Sequence, residues 1–408
     1  MRFVVAVCFL TSFISVAVSA QIRSSWSGPG RNGIYHETGL LKEWPEQGPE
    51  VLWTIEGIGH GYSSPSFSNG KIYLSGMIDR SGYVFIFNKD GLLLNSYEYG
   101  PEFYTSYPGS RSTPLVVDDL LYLASGMGKL MCLEAYSGKV IWSRDATDDF
   151  GGENIRWGIT ENLLIDGDKL FFAPGGKKHN IVALNRFTGE TIWSSAGTGD
   201  GDLSAYCSPL IVELPGRRVF ITIMASSIVG LDAASGEFLW SYPFANRNSI
   251  HANTPLFRDG HIYAFSTDEA GSVKLRLNPD GSQIEPVWVN KEINPMQGGA
   301  VIVDNHIYTA VYVGRRWYCI DRNTGKPVWS SRDLDRGVVI YADGRLYYYT
   351  ERGELALSRP DPGGMEIISQ TSIDHVGTGL HFSHPVIHEG RLYVRRGEAM
   401  VVFDVSRE

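Results

Sequence analysis

One recurring pattern constrains this chain more than any other: an aliphatic residue and an acidic residue or Asn, then a glycine, then a tryptophan four residues after that glycine. The pattern is intact at four places, which are Leu133–Trp142, Leu184–Trp193, Leu231–Trp240 and Ile320–Trp329. A glycine at positive φ that starts a strand with a fixed large side chain is typical of a hairpin turn between antiparallel strands. The chain is therefore predicted to consist of repeated small antiparallel sheets.

The start of the unit recurs as well. Short apolar runs begin after Ser64-Pro, Thr113-Pro, Ser208-Pro, Thr254-Pro and His384-Pro, and alignment on the turn that follows brings the number of openings to eight. The tryptophans at 142, 193, 240, 288 and 329 give a period of 41 to 51 residues. A period of this length with four strands per unit is typical of the blades of a β-propeller, which pack on their neighbours around a ring.

The last unit lacks its final strand. It runs from His384 to Asp404, and Pro49–Ile55 at the other end of the sequence has the character of that missing strand. A ring closed in this way leaves no open sheet edge between its first and last blades. The sequence therefore predicts an all-β, eight-bladed β-propeller of four-stranded antiparallel blades, closed by the N-terminal strand. The predicted divisions are a signal peptide over 1–20, an arm over 21–48 and the propeller over 49–408.

The first twenty residues have a basic start, a short apolar run and the small residues Ser19 and Ala20. This is the pattern of a secretory signal peptide cleaved after Ala20, and the alternative is an uncleaved anchor helix. The expected location is the periplasm or the exterior, with no membrane-embedded segment in the remaining chain.

Charge and cysteine content limit the possible partners and the possible disulfides. The chain has 36 Lys+Arg against 45 Asp+Glu and a net charge of −9, which argues against nucleic-acid partners. Cys132 and Cys319 occupy equivalent positions in blades that lie opposite each other, too far apart for a disulfide, and Cys207 is then unpaired too. We expect a monomer that depends on its core and on ring closure.

Candidate functional residues cluster where the innermost strands begin, at the mouth of the central channel. Loops on a rigid scaffold commonly carry binding sites, and residues two apart on a strand share a face. In the aligned openings, the residues directly before the Pro form one ring around the channel, and the residues two positions earlier form a second ring. The alternative interpretation is structural: Ser/Thr-Pro begins the strand, and the charged side chains form salt bridges inside the channel. The candidates at the mouth are Tyr62, Arg111, Arg156, Trp157, Glu161, Tyr206, His251, Gln297, Arg336, His381 and His384.

Arginines pair with carboxylates and aromatic rings stack on planar groups, so this mouth suits a small planar or anionic ligand. A zinc site at His381, His384 and His388 is disfavoured, because only the last two share a strand face. No Ser/His/Asp set suitable for nucleophilic catalysis is present, and no catalytic residue is assigned.

The repeats resemble the pyrroloquinoline-quinone (PQQ)-like β-propeller family, through segments such as Met131–Trp142 and Val229–Trp240. The resemblance extends to the arm, Trp26–Gly33 and Gly39–Pro45, and to Phe150–Gly158. It implies one of two functions. Quinoprotein alcohol and sugar dehydrogenases hold PQQ with calcium in the ring mouth, and their alcohol-oxidising members use a disulfide between adjacent cysteines, which this sequence lacks.

The second branch is the propeller subunit of the outer-membrane assembly machinery, a non-catalytic scaffold. The expected function is a non-catalytic binding or scaffold module of the cell envelope, with an envelope protein or a glycan as partner at the channel mouth. The alternative is a PQQ-dependent oxidoreductase acting on alcohols or sugars.

Overall fold

A computed structural model describes residues 26–199 and 201–407. The predicted signal peptide and its cleavage after Ala20 lie outside these residues. The all-β prediction is confirmed, because the described residues form strands, turns and loops arranged as eight small sheets. Within this part of the chain no helix has the length and apolarity needed to cross a membrane.

Two short strands, β1 (Ile34–Tyr35) and β2 (Val51–Ile55), come before the first complete blade. Blade 1 contains β3 (Ser66–Ser68), β4 (Lys71–Ile78), β5 (Ser81–Asn88) and β6 (Leu93–Pro101). Blade 2 contains β7 (Leu115–Val117), β8 (Leu120–Ala124), β9 (Lys129–Glu134) and β10 (Val140–Asp145). Blade 3 contains β11 (Leu164–Asp166), β12 (Lys169–Phe172), β13 (Ile181–Asn185) and β14 (Thr191–Ser195). Blade 4 contains β15 (Leu210–Leu214), β16 (Arg217–Ile223), β17 (Ser227–Asp232) and β18 (Phe238–Pro243).

The second half of the ring repeats this arrangement. Blade 5 contains β19 (Leu256–Arg258), β20 (His261–Phe265), β21 (Ser272–Leu277) and β22 (Ile284–Asn290). Blade 6 contains β23 (Ala300–Val303), β24 (His306–Val311), β25 (Arg316–Asp321) and β26 (Pro327–Ser331). Blade 7 contains β27 (Gly337–Ala342), β28 (Arg345–Thr350), β29 (Glu354–Ser358) and β30 (Ile367–Ser372). Blade 8 contains β31 (Val386–His388), β32 (Arg391–Arg396) and β33 (Ala399–Asp404), completed by β2.

The ring closes as the sequence predicts. Strand β2 pairs antiparallel with β33, and Trp53 lies opposite Val402. The first strand of each blade is innermost, since first strands of neighbouring blades contact each other, as β3 contacts β7. The last strands carry the exposed side chains at the rim.

The repeated tryptophan seals one blade to the next. The indole N–H of Trp193 in blade 3 donates to the carbonyl of Ala233 in blade 4 at 3.1 Å, and its ring covers Gly236, where φ is +77° and an added Cβ would lie 2.5 Å from the indole. Tyr97 makes the equivalent bond from blade 1 to blade 2. The other seals of this kind, each from an indole N–H to a carbonyl of the next blade, are made by Trp53, Trp142, Trp240, Trp288 and Trp329.

The arm enters the centre of the ring, whereas its sequence predicts an irregular segment that lies across the ring. Strand β1 pairs in parallel with β27, the innermost strand of blade 7, and becomes a fifth strand of that sheet. The guanidinium of Arg31 donates to the carbonyls of Asn162 and Leu163 in blade 3. The ring of Trp26 lies 5.4 Å from that of His384 in blade 8. Because the arm contacts blades on opposite sides of the ring, it fills the channel.

The arm then replaces the tryptophan that blade 7 lacks. Ser369 occupies the position that Trp193 has in blade 3, just before the β-bulge in the last strand pair. The backbone N–H of Trp44 donates to the Ser369 hydroxyl at 2.8 Å, and the Trp44 ring lies 6.2 Å from that of Tyr347. The arm therefore completes the packing between blades 7 and 8.

Candidate functional site

The two faces of the ring carry different connections. Innermost strands begin at one face, so the loops between blades and the hairpins between second and third strands lie on that face, which we call the mouth face. The opposite face, which we call the far face, carries the hairpins between third and fourth strands, in which the tryptophan follows the glycine by four residues. A cavity of about 480 Å³ opens at the centre of the mouth face.

All eight blades contribute to this cavity. One of the two predicted rings consists of the residues three positions before each aligned Pro. Seven of its eight members line the wall, and only Ile159 does not. These seven residues are Tyr62, Arg111, Tyr206, Ala252, Gln297, Arg336 and Phe382. The cavity wall therefore brings together seven of the predicted candidates. Five belong to this ring, namely Tyr62, Arg111, Tyr206, Gln297 and Arg336, and the other two are Trp157 and His384.

Arg111 is fixed in the wall by backbone carbonyls alone. Its guanidinium donates to the carbonyls of Ser106, Tyr107, Gly109 and Trp157 at 2.6 to 3.0 Å, which engages four of its five N–H groups. Burial lowers the pKa of Arg111, and no carboxylate of residues 26–199 and 201–407 forms an ion pair with it. Arg111 thus gives the cavity a positive charge but has few donors left for a ligand.

Arg336, on the other side of the cavity, is paired. Its Nε donates to the Glu351 carboxylate at 2.8 Å, and Nη1 donates to the Tyr312 carbonyl at 3.0 Å. The guanidinium lies 3.9 Å from the centre of the Tyr312 ring. Its charge is therefore largely balanced before any ligand binds.

Aromatic rings form two parts of the wall. The ring of Phe382 lies 5.9 Å from Tyr62 and 6.4 Å from Tyr107, and Trp157 lies 5.8 Å from Tyr206. The planes within these pairs are tilted by 37° to 54°. Arg156, another predicted candidate, is exposed and covers the outer side of Trp157 at 4.6 Å, so it lies outside the cavity.

Glu161 lies below the cavity floor rather than in the wall. It is 3% exposed, and one carboxylate oxygen accepts the Ala173 N–H at 3.0 Å while the other has no hydrogen-bond partner. Burial raises the pKa of Glu161 to about 8, opposed by that N–H and by the nearby charge of Arg31. Burial also lowers the pKa of Arg31 to about 10. The arm thus covers Glu161 and separates it from the mouth.

The three candidate histidines have different surroundings. His251 is fully buried, with ring nitrogens near the Ala225 carbonyl and the Ser266 hydroxyl. His381 is buried against the Tyr349 hydroxyl at 2.7 Å, so neither of these two lines the cavity. His384 lines it, with one ring nitrogen 3.3 Å from the Gln297 carbonyl and the other without a partner. Burial lowers the pKa of each to about 4, so all three are neutral at physiological pH.

Several residues that line the cavity were not among the predicted candidates. Trp26 comes from the arm, Asn248 from the loop before blade 5, and Asp268 and Tyr312 from hairpins between second and third strands. The site was predicted on the segments between blades, whereas the hairpins from second to third strands reach the same face. The hairpins at 266–271 and 312–315 are longer than the two-residue turns that join first to second strands on the far face.

The residues of the mouth do not fit calcium with a quinone. Calcium requires six to eight oxygen ligands, usually with several carboxylates, and Asp268 is the one carboxylate in the described wall. Within residues 26–199 and 201–407, no group of three or more His, Cys, Asp or Glu side chains gathers into a possible metal site. The guanidinium donors that a quinone carboxylate would require are mostly engaged by carbonyls or by Glu351.

Comparison with known proteins agrees with the fold. A family model described as "Outer membrane protein assembly factor BamB" matches residues 37–177 and 80–331. This chain belongs to that family of PQQ-like β-propellers. The solved BamB structure from Moraxella catarrhalis superimposes with a TM-score of 0.62 at 16% identity, covering 87% of this chain and 97% of that one.

Relatives of this PQQ-like propeller fall on both branches that its repeats implied. The outer membrane protein assembly factor BamB of Kangiella koreensis is 28% identical over 174 residues, which cover 41% of this chain and 37% of that protein. The quinoprotein ethanol dehydrogenase of Pseudomonas aeruginosa is 29% identical over 161 residues, which cover 36% of this chain and 25% of that enzyme. The chain thus spans well under two thirds of the length of either of these relatives.

Proposed function

We propose that this propeller is an exported, non-catalytic binding module of the cell envelope that takes part in outer membrane protein assembly and receives its partner at the mouth face. The observation that carries the proposal is the match of the BamB family model across residues 37–331, from the arm to blade 6. The poor fit of the mouth to calcium and a quinone favours this branch over the dehydrogenases.

The structure supports the mouth face as the working face for a second reason. Exposed large apolar side chains lie on several loops of this face, where a protein partner would cover them. They come from loops of separate blades and include Tyr104, Tyr107, Met127, Leu203, Val313 and Leu380. A rigid ring that presents loops from many blades toward one point is suited to hold a protein partner.

The test compares two tyrosines of similar exposure on opposite faces. Tyr107 is 52% exposed on the mouth face, and Tyr136 is 48% exposed in the far-face hairpin between β9 and β10. A photo-crosslinking amino acid replaces each one in the full-length protein in its own cells, and captured proteins are identified by mass spectrometry.

We expect Tyr107 to capture an outer-membrane assembly protein and Tyr136 to capture none. The same assembly protein captured equally from both positions would contradict a working mouth face. Capture of no assembly protein from Tyr107, with the protein folded and exported, would contradict the proposed function.

A further inference from the structure

The cavity at the mouth face has a chemistry of its own, which goes beyond a partner surface. It is a concave space of about 480 Å³, within the ~300–1,000 Å³ of small-molecule sites. The arm closes its floor, because Trp26 lines the cavity and Arg31 below it is bonded to blade 3. The space is therefore a well that is open at one end, and a small ligand can enter it only from the mouth.

The charges of the described wall do not select an ion of either sign, because Arg111 is its one positive group outside an ion pair and Asp268 is its one carboxylate. A carboxylate or phosphate needs free guanidinium donors in a fork. Four of the five N–H groups of Arg111 bind carbonyls, and Arg336 is paired with Glu351.

The remaining polar groups are neutral or accept hydrogen bonds. Asp268 is partly buried in the wall, and its carboxylate makes no hydrogen bond or ion pair with the described residues. An ionised carboxylate only accepts hydrogen bonds, so it requires donors from a ligand. The Asn248 amide adds a donor and an acceptor for hydroxyl groups.

The aromatic walls complete the pattern. The rings of Tyr62 and Phe382 form one contacting pair in the wall and those of Trp157 and Tyr206 form another, with centroids 5.9 and 5.8 Å apart. Aromatic faces carry negative charge density and attract the weakly positive C–H groups of a puckered ring. Aromatic faces together with hydroxyl-binding groups match a ligand that is apolar on its ring faces and hydroxylated at its edge.

We propose that the mouth well binds a neutral saccharide of one or two rings, with Asp268 accepting hydrogen bonds from ligand hydroxyls and Trp157 packing on a sugar face. The inference deepens the proposed function, on which it rests for the assignment of the mouth as the working face. It gives the binding module a small-molecule ligand as well as a protein partner.

The test is calorimetric titration of the full-length mature protein with two defined disaccharides, maltose and N,N′-diacetylchitobiose. We expect at least one of them to bind with a Kd of about 1 mM or tighter. Asp268→Asn keeps the shape of the side chain and should weaken binding about tenfold or more. Trp157→Ala should do the same, and Tyr136→Ala on the far face should leave the Kd unchanged.

Absence of binding by both disaccharides up to about 10 mM would overturn the inference. A Kd that is unchanged in both Asp268→Asn and Trp157→Ala would also overturn it, because the sugar would then bind elsewhere. Thermal unfolding of each variant shows whether it is folded, so that a loss of binding heat can be told apart from a loss of structure. Crosslinking from Tyr107 is independent of these results: its success without sugar binding would remove only this inference, and its failure with sugar binding would remove only the proposed role in assembly.

Discussion

The two faces of the ring use the same kind of side chain for opposite purposes. On the far face, Trp193 is 8% exposed, and its N–H group and its ring are both engaged by the next blade. On the mouth face, Trp157 is only partly buried and lies beside an open cavity, with Tyr206 and Arg156 as ring neighbours. The aromatic side chains of the far face pack between blades and close the ring, whereas those of the mouth face can contact a ligand or a partner.

This difference gives a general criterion for finding a site on a repeat fold. An aromatic residue that recurs at the same position of each blade and bonds the next blade is structural. An aromatic residue that appears in a single blade, faces the axis and leaves its polar atom free has no such structural duty. Tyr107 and Trp157 meet the second description, because they belong to loops that differ from blade to blade.

The largest expected effect follows from removal of a far-face seal. Trp193→Ala should destabilise the protein by about 3–5 kcal/mol, because it leaves a cavity and an unpaired Ala233 carbonyl. Trp157→Ala on the mouth face should cost less than about 1 kcal/mol. Chemical unfolding of both variants measures the difference, and equal losses would show that the two faces are not distinct in this way.

The next largest effect concerns the junction between blade 8 and blade 1. Arg395 is fully buried, and its guanidinium donates to carbonyls of Gly59, Ser63, Ser75 and Gly397 at 2.6 to 3.3 Å. Arg395→Met removes those donors while keeping most of the volume, so several buried carbonyls lose their partners at a cost of about 3 kcal/mol.

The unfolding midpoint of that variant is the measurement. Arg391→Met serves as the control, because Arg391 lies on the same strand and its guanidinium reaches the exposed Lys89 carbonyl instead of the interior. Equal losses for the two variants would mean that the buried carbonyl bonds do not hold the junction.

A smaller effect, dependent on pH, tests the burial of Glu161 beneath the arm. Burial raises the pKa of Glu161 to about 8, so the folded protein keeps a proton that the unfolded chain releases near pH ~4.3. This contribution to stability is fully present below pH ~4.3 and is lost as the pH rises toward 8. Glu161→Gln should therefore gain stability over wild type across this window, on the order of 2 kcal/mol at pH 6.

Unfolding free energies of wild type and Glu161→Gln at pH 4 to 9 measure this gain. Glu153→Gln is the control, because Glu153 is an exposed acid on the same inter-blade segment. A constant difference between wild type and Glu161→Gln over the whole range would show that the arm does not bury this carboxyl.

The fold was predictable because each blade has its own copy of the repeat pattern in the sequence. Eight blades, the antiparallel pairing within them and the closing strand Val51–Ile55 all follow from glycine, tryptophan and proline spacing. The path of the arm was not predictable, since β1 has two residues and leaves no periodicity. The contact between Trp44 and Ser369 links positions 325 residues apart, and no local pattern announces it.

The site was predictable in part for a related reason. Alignment placed two rings of residues at the channel, and one of them lines the cavity almost completely. The other ring lies one step deeper: its members Ser208 and His384 still line the cavity, whereas Arg31 of the arm lies near the buried Glu161. Whether a channel residue is reachable depends on what fills the channel, and the arm that fills it comes from outside the repeats.

The mouth is proposed to be a binding site without a redox cofactor, and titration with PQQ tests this proposal most directly. Calorimetry of the mature protein with PQQ, with and without Ca²⁺, should show no heat of binding and no shift of the melting temperature. Binding at micromolar concentration or tighter, about 8 kcal/mol, that requires Ca²⁺ and is lost in Asp268→Asn would contradict the account and assign this propeller to the quinoprotein dehydrogenases.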